Sequence, residues 1–472
     1  MSAERLQYVT PLPPLPTGIA QYSRDLLRAL GGAWPLDIVG EAGSNPAPFV
    51  NPVEESGTRT TSFRRGVPTV FQIGNSGFHR LAFKHALQES GVIVLHDVML
   101  HHGRSGELLR AGGAGYQRVM RSRYGAKGAW AVAEILAGRA VDDFGVYPLS
   151  EDYVERAIVT IVHSEFARRQ VLRFVPDANV VVVPMGVPLP ALVDQSAARI
   201  ALKLPERAFI IASITHVNPY KRMPIVLRAM RRLVAREPDA ILIVAGSVAP
   251  GIDLKRQVSL LNLERNVRLL GYVTDDEARL AARAADVCVN LRFPSAGETS
   301  ASLLRLLGAG RPVLVTDDPS IAEYPRDAVL PVAVDRFEDE MLADLMLLLA
   351  RDRELRDAAG AAARSFIERE HSMLDAVHGY RNVIQAAFGV QLPESPGMAV
   401  HEPDPTVSAS AVSPVRYSAL DARIADALAG LRLAGHDATI HTVAQAAQRL
   451  RLDCAQPSEN EWTSDEQVSA DS

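Results

Sequence analysis

Cysteine is almost absent from this chain: Cys288 and Cys454 are the only two in 472 residues. Lying so far apart, they fit neither a disulfide framework nor a zinc spacing. They read as one core thiol and one tail thiol in a reducing compartment. Long apolar runs are also missing, none approaching the ~18 residues that would span a bilayer. Residues 1–16 carry no basic stretch followed by an apolar core, so no signal peptide is expected. These absences predict a cytoplasmic location and leave peripheral membrane contact open. Neither sign of charge dominates: 50 Lys and Arg face 55 Asp and Glu, a net charge of -5. That balance argues against nucleic acid as a partner. HExxH, a Cys/His set, Gly-x-Ser-x-Gly and the Walker motif are all lacking, so zinc, serine-hydrolase and P-loop chemistries have no anchor. There is no Asp-x-Asp pair either, which weakens any mechanism built on carboxylate-held Mg²⁺. No metal and no cofactor are therefore expected.

What is present is an ordinary globular composition, 47% hydrophobic and 22% charged, long enough for two or three domains. Residues 18–30 place Ile19, Tyr22, Leu26 and Leu27 on one side of a helix. Short β-branched runs at 67–73, 92–95, 157–162 and 180–183 read as buried strands that end in polar or glycine residues. After a proline-rich linker at about 184–192 the alternation becomes more regular. Strands are expected over 209–214, 241–245, 267–270, 287–291, 313–315 and 329–332. Helices are expected between them over 219–236, 254–263, 275–284 and 300–307, with another over 338–350. Strands alternating with helices of this length imply doubly wound parallel sheets, whose ligands bind outside the carboxyl ends of the strands. The expected organisation is a domain at 1–190, a second at 191–390, and a Pro/Ser/Ala-rich linker with an acidic, partly helical tail at 391–472.

Two strand ends carry the candidate chemistry. In residues 292–315, RFPSAGETSASLLRLLGAGRPVLV, a loop of small residues runs into a helix start near Thr299 or Ser300. Small residues let backbone amides approach a ligand, and the free N–H groups of a helix start bind phosphate oxygens. Glu298 sits at the mouth of that turn, where its carboxylate could meet sugar hydroxyls or simply favour the helix start. In residues 213–222, SITHVNPYKR, Lys221 and Arg222 are expected in the first turn of a helix, where the macrodipole disfavours cations. An anion nearby, or solvent around an exposed pair, would account for them. Gly18 opens a helix after a glycine turn suited to close backbone approach. His96-Asp97 and His101-His102 form a histidine-rich strand end without converging metal spacing.

Taken in order, PPLPTGIAQYSRDLL, FQIGNSGFH, VIVLHDVMLHH, VHSEFARRQV, VVPMGVP, THVNPYKR, LIVAGS, VRLLGYV and GETSASLLRLLGAGRPVLV resemble glycosyltransferase family 4, the large retaining GT-B family. The resemblance covers about residues 8–388. It implies the GT-B fold, two Rossmann-like domains facing across a cleft, and within the family a branch carrying GETS. It further implies that Gly18 lies near the donor diphosphate and that His96 contacts the donor sugar. By the same resemblance Lys221 neutralises the diphosphate with Arg222 beside it, and the helical segment 373–388 crosses back to the first domain. Gly297, Glu298, Thr299 and Ser300 match the loop whose amides hold phosphate and whose acid contacts the transferred sugar. His163-Ser164-Glu165 matches a further family motif. Three departures stand out. With Gly310-Arg311-Pro312 as anchor, Gly297 occupies the place of the family's first glutamate and Glu298 follows one step later. Arg305 occupies the place of the second, ribose-binding glutamate, and could reach a phosphate or lie on the helix surface. The arginine usual five residues before the lysine is His216.

The resemblance implies a retaining hexosyltransferase acting in polysaccharide or other glycoconjugate synthesis. Its partners would be a nucleoside diphosphate sugar donor and a carbohydrate or lipid-linked hydroxyl acceptor. Catalytic roles fall to His96, Lys221 and Glu298. Donor binding falls to Gly18, Lys221, Arg222, Gly297, Glu298, Thr299, Ser300 and Arg305. The alternatives are a sugar-nucleotide epimerase of the same fold and a non-catalytic partner protein in which Arg305 has abolished donor binding.

Overall fold

The alternating pattern becomes two parallel sheets in the computed structural model, which describes residues 5–390 apart from 31–35, 42, 45–58, 61, 111–112 and 140–144. The expected linker and tail over 391–472, with Cys454, lie outside the described residues. The first sheet contains β1 (Leu6–Thr10), β2 (Leu36–Gly40), β3 (Arg59–Thr60), β4 (Thr69–Ile73), β5 (Val92–Leu95), β6 (Val159–Val162) and β7 (Val180–Val182). The second contains β8 (Ile210–Ile214), β9 (Ile241–Ala245), β10 (Val267–Gly271), β11 (Val287–Asn290), β12 (Val313–Thr316) and β13 (Val329–Val332). Their orders are β3-β2-β1-β4-β5-β6-β7 and β10-β9-β8-β11-β12-β13. In each sheet the chain winds outward from an inner strand and then restarts on that strand's other side. The reversal falls between β1 and β4 in one sheet and between β8 and β11 in the other. A crevice opens at such a point because the loops leaving the two strands turn to opposite faces.

The second sheet follows the sequence expectation, each strand end moving by at most one residue. Its inner strands β9 and β11 are apolar and buried on both faces, as parallel sheets covered by helices require. In the first sheet, β1 and β2 escape a pattern reading because they bury polar residues. Gln7 is fully buried and donates to the Arg64 carbonyl (3.1 Å) and the Thr69 hydroxyl (3.0 Å). Asp37 is buried against Arg5 (2.7 Å). Such partners lie 32 and more residues away, beyond the reach of local periodicity. The helix Ala114–Leu136 was likewise not anticipated, since Gly125 (φ 62, ψ -141) breaks it and its apolar residues do not keep to one stripe.

The proline-rich crossing between the sheets is pinned. Val187 pairs with Ser372 and donates its N–H to the His371 carbonyl (3.0 Å). His371 Nδ1 in turn donates to the Met185 carbonyl (2.9 Å). A Cβ on Gly186 would lie 2.7 Å from Ala376 Cβ and 2.8 Å from Met373 Cα, so only glycine allows this approach. The helix Met373–Phe388 returns to the first sheet, and its Tyr380 hydroxyl meets that of Tyr22 (3.3 Å). One hydrophobic core therefore runs through both halves, from Leu6 and Tyr8 through Val183 and Val187 to Leu303, Tyr380 and Ile384. Cys288 is within it, its thiol pushed up to about 12 by burial.

Candidate active site at the reversal point of the second sheet

The loops leaving β8 and β11 bring the candidate residues together. The expected helix at 219–236 is interrupted. A 3-10 turn, Pro219–Lys221, is followed by Arg222 in the left-handed region (φ 51), and the helix Met223–Val234 starts only there. Pro219 begins the turn and Pro224 lies in the first turn of the helix, a position where proline lacks only an unneeded donor. Phe293 donates its N–H to the Tyr220 carbonyl (2.9 Å), tying the two loops side by side. Lys221 and Arg292 thereby become electrostatic neighbours, with Asp97 at the end of β5 facing both.

The charges are mutually adjusted. Lys221 lies well below its ordinary pKa because burial strips water from the ammonium and Arg292 repels it, while Asp97 opposes the shift. Burial raises Asp97, opposed by the Asn75 N–H (2.7 Å), Arg292 and Lys221. Arg292 is lowered by burial and held charged by Asp97. Among the described residues the Lys221 ammonium has no hydrogen-bond or ion-pair partner.

Beside it the small-residue loop meets the other half of the molecule. Met99 donates its N–H to the Ala296 carbonyl (3.0 Å). Gly297 has φ +77 and lies against Val98, leaving a Cβ only 3.0 Å from that side chain. Both the backbone and the space favour glycine. Ser300 caps the helix Ala301–Gly308, accepting from the Leu303 N–H (3.3 Å). Thr299 and Ser300 line a small pocket together with Asn290, Arg292, Glu298 and Tyr324. Gly18 opens its helix into free space, with nothing within 4 Å of a notional Cβ.

Four of the residues named from the sequence make contacts that the sequence alone does not reveal. Arg222 does not stand beside Lys221 as a free second cation. Its Nε donates to Glu338 (2.6 Å), a second nitrogen grips the same fully buried carboxylate, and the guanidinium lies over the Phe293 ring. Glu338 thus supplies the compensating anion. Glu298 lines the pocket but does not cap the helix, a role that Ser300 takes. Its carboxylate accepts from the Ala296 N–H (2.7 Å) and the Ser295 hydroxyl (3.1 Å) and pairs with Arg292. Arg305 is engaged by the first half of the molecule. It crosses to the helix Gly18–Leu30, donating to Asp25 (2.9 Å) and Gln21 (3.1 Å). Arg24 pairs with Asp275 from the opposite side (2.5 Å), so charges alternate across this face.

His96 is the fourth. Its ring is buried, with Nε2 bonded to the Gln72 side-chain amide, which also meets the Tyr8 hydroxyl. His163 Nδ1–H donates to the Val183 carbonyl (2.9 Å), and its Nε2 lies 3.3 Å from His96 Nδ1. Both nitrogens of His96 are thus occupied. Burial lowers His96 well below the ordinary histidine value and His163 to about 4, so the chain runs through neutral imidazoles. Ser164 caps the next helix, accepting from Ala167 N–H (3.1 Å). Sequence reasoning gave Asp97 no role beyond a strand end and passed over Arg292. An arginine at the end of a buried strand, directly before a glycine loop, was the available signal. Among the described residues no helix is long and apolar enough to cross a membrane.

Residues 194–366, the body of the second sheet, match the model of the family described as glycosyl transferases group 1. D-inositol 3-phosphate glycosyltransferase of Salinispora arenicola is 30% identical over 180 residues, covering 36% of this chain and 40% of that protein. The chain spans between 36% and 56% of the length of the curated relatives it matches. Among solved structures, sucrose-phosphate synthase of Thermosynechococcus elongatus superposes with a TM-score of 0.61 at 15% identity, over 82% of this chain and 99% of its own. Anabaena Alr3699/HepE in complex with UDP-glucose gives 0.56 at 13% identity, over 81% and 99%. Two parallel doubly wound sheets and these neighbours define the fold as GT-B.

Proposed function

We propose that the protein is a retaining glycosyltransferase that moves a sugar from a nucleoside diphosphate sugar to the hydroxyl of a carbohydrate or lipid-linked acceptor. In this reading residues 1–190 form the acceptor side, residues 191–390 hold the donor, and the enzyme works in the cytoplasm in glycoconjugate synthesis. The observation that carries it is Lys221, an ammonium without an ion-pair partner at the reversal point of the second sheet. A half-buried cation there, acting on Arg292 whose guanidinium reaches the helix-capping Ser300, favours an anionic ligand. The match of residues 194–366 to glycosyl transferases group 1 supports a glycosyl donor as that ligand.

In the reaction the bond between the anomeric carbon and the diphosphate oxygen breaks as the acceptor oxygen bonds to the same face of the sugar. The departing diphosphate takes the acceptor proton, so no protein nucleophile is needed. Lys221 and the helix-start amides stabilise the charge that grows on the leaving oxygen, and do so without reorganising. Gly18 leaves room for the diphosphate to lie against the first helix of the acceptor side. Thr299 and Ser300 supply hydroxyls at the pocket. Glu298 is the group assigned to the transferred sugar. The test is to titrate UDP-, GDP- and ADP-sugars and follow donor turnover with an acceptor panel, reading the anomeric configuration by NMR. Failure of every donor to bind and turn over would overturn the proposal, and inversion at the anomeric carbon would overturn retention.

A further inference from the structure

Arg292 belongs to none of the roles assigned so far, yet it occupies the centre of the charged cluster. It follows β11 directly, its backbone N–H donating to the Thr316 hydroxyl (2.9 Å), so its Cα is fixed by the sheet. One terminal nitrogen pairs with Glu298 and another reaches the Ser300 hydroxyl (3.2 Å), while Nε is buried without a partner. Lys221 and Asp97 are its further charged neighbours. By contrast His216, which occupies the place five residues before Lys221, is exposed and turned away to the Ser247 hydroxyl (2.8 Å).

We infer that Arg292 is the second cation of the diphosphate site, and that Glu298 and the donor diphosphate compete for its guanidinium. This rests on the glycosyl-donor reading above. A guanidinium that keeps one carboxylate, one hydroxyl and one unpartnered N–H has donors for a phosphate without moving its anchor. Next to Lys221 it forms a pair of fixed positive charges, which a diphosphate neutralises better than the single carboxylate of Glu298. When the diphosphate takes the guanidinium, Glu298 is released from its strongest tie and retains only the Ala296 N–H and the Ser295 hydroxyl. Donor binding and freeing of the acid thus become one event. Arg222, committed to Glu338, takes no part.

The competition predicts opposite signs for its two partners. Calorimetric titration of the full chain with UDP, GDP and ADP reads them directly. Arg292→Gln weakens whichever diphosphate the wild type binds by about tenfold or more, the size of one charge-assisted contact. Glu298→Gln tightens it, because the competitor is gone. In Arg292→Gln/Glu298→Gln the gain disappears and affinity equals that of the single arginine variant. Unchanged affinity in Arg292→Gln, or unchanged or weaker affinity in Glu298→Gln, overturns the inference. If Lys221→Ala loses diphosphate while Arg292→Gln does not, the donor reading stands and only Arg292 is wrong. A wild type that binds none of the three sinks both. Should Arg292→Gln fail to fold on thermal melting, the sign of the Glu298→Gln effect decides alone.

Discussion

The ends of β4, β5 and β6 and the ends of β8 and β11 are carboxyl ends of strands in two sheets of the same winding, but their chemistry is opposite. In the first sheet, Gln72, His96 and His163 form a buried chain that ends on the Val183 carbonyl, with both nitrogens of each imidazole taken. In the second, Lys221 has no partner and Arg292 keeps an unpartnered Nε. A strand end in a doubly wound fold marks where a ligand can bind. Whether a side chain there serves the ligand or the fold depends on the hydrogen-bonding capacity left over once the protein has taken its share.

The comparison can be broken by moving residues from one class to the other. Arg222 has the largest expected effect, and on the fold. Arg222→Ala leaves the buried Glu338 carboxylate uncompensated and should cost about 3–5 kcal/mol in urea denaturation. Diphosphate affinity of the folded fraction should stay near wild type, and a tenfold loss would return Arg222 to the site. Lys221→Ala should act the other way, leaving the melting temperature in place. It should remove about 1.5–3 kcal/mol of diphosphate binding, readable by calorimetry as a tenfold or greater rise in Kd. His163→Ala should again act on the fold, by about 1–3 kcal/mol, because it strands the Val183 carbonyl and removes the neighbour of His96 Nδ1.

The same chain gives a pH dependence. His163 is lowered to about 4 in the folded protein, so the unfolded chain binds the extra proton first. Its contribution is fully present above the ordinary histidine range and is lost as pH falls from about 6.5 toward about 4. Denaturation at stepped pH should show stability declining over that window, and less steeply in His163→Ala. An equal slope in both proteins would remove the imidazole chain as the cause. The smallest effect is expected at Arg305. Its partly exposed pairing with Asp25 is worth about 0.2–1 kcal/mol, and Arg305→Gln should leave diphosphate affinity unchanged. A large loss there would mean that the arginine reaches the donor after all.

The six strands of the second sheet were legible because their apolar runs need no partner to be recognised, and the helix Gly18–Leu30 likewise. The candidate loops were legible too, since small residues before a helix start and a basic pair after a strand are local signals. What each side chain does there was not. Arg222 is answered by a residue 116 positions away, Arg305 by one 280 positions away, and His96 by Gln72 on a neighbouring strand. Arg292 was hidden for the converse reason. Its place at a strand end before a glycine loop is a local signal, but its charged neighbours appear only once the loop carrying Lys221 is folded beside it.

The pinned crossings give the molecule a spine. The chain passes between the sheets at 183–187 and 371–373, and the Val187–Ser372 pair and the His371–Met185 bond bind these passages to each other. Like the boards of a book, the two sheets can part only by pivoting about that edge, and the fore-edge must travel furthest. The fastenings away from the spine are mostly polar and include Met99 to Ala296, Arg169 and the Glu165 N–H to Glu323, Arg305 to Asp25 and Gln21, and Arg24 to Asp275. Parting the sheets would therefore exchange those bonds for water while the shared core at the spine stays dry. Gly186 is the stitch that makes this possible, since any larger residue would hold the boards apart where they must meet.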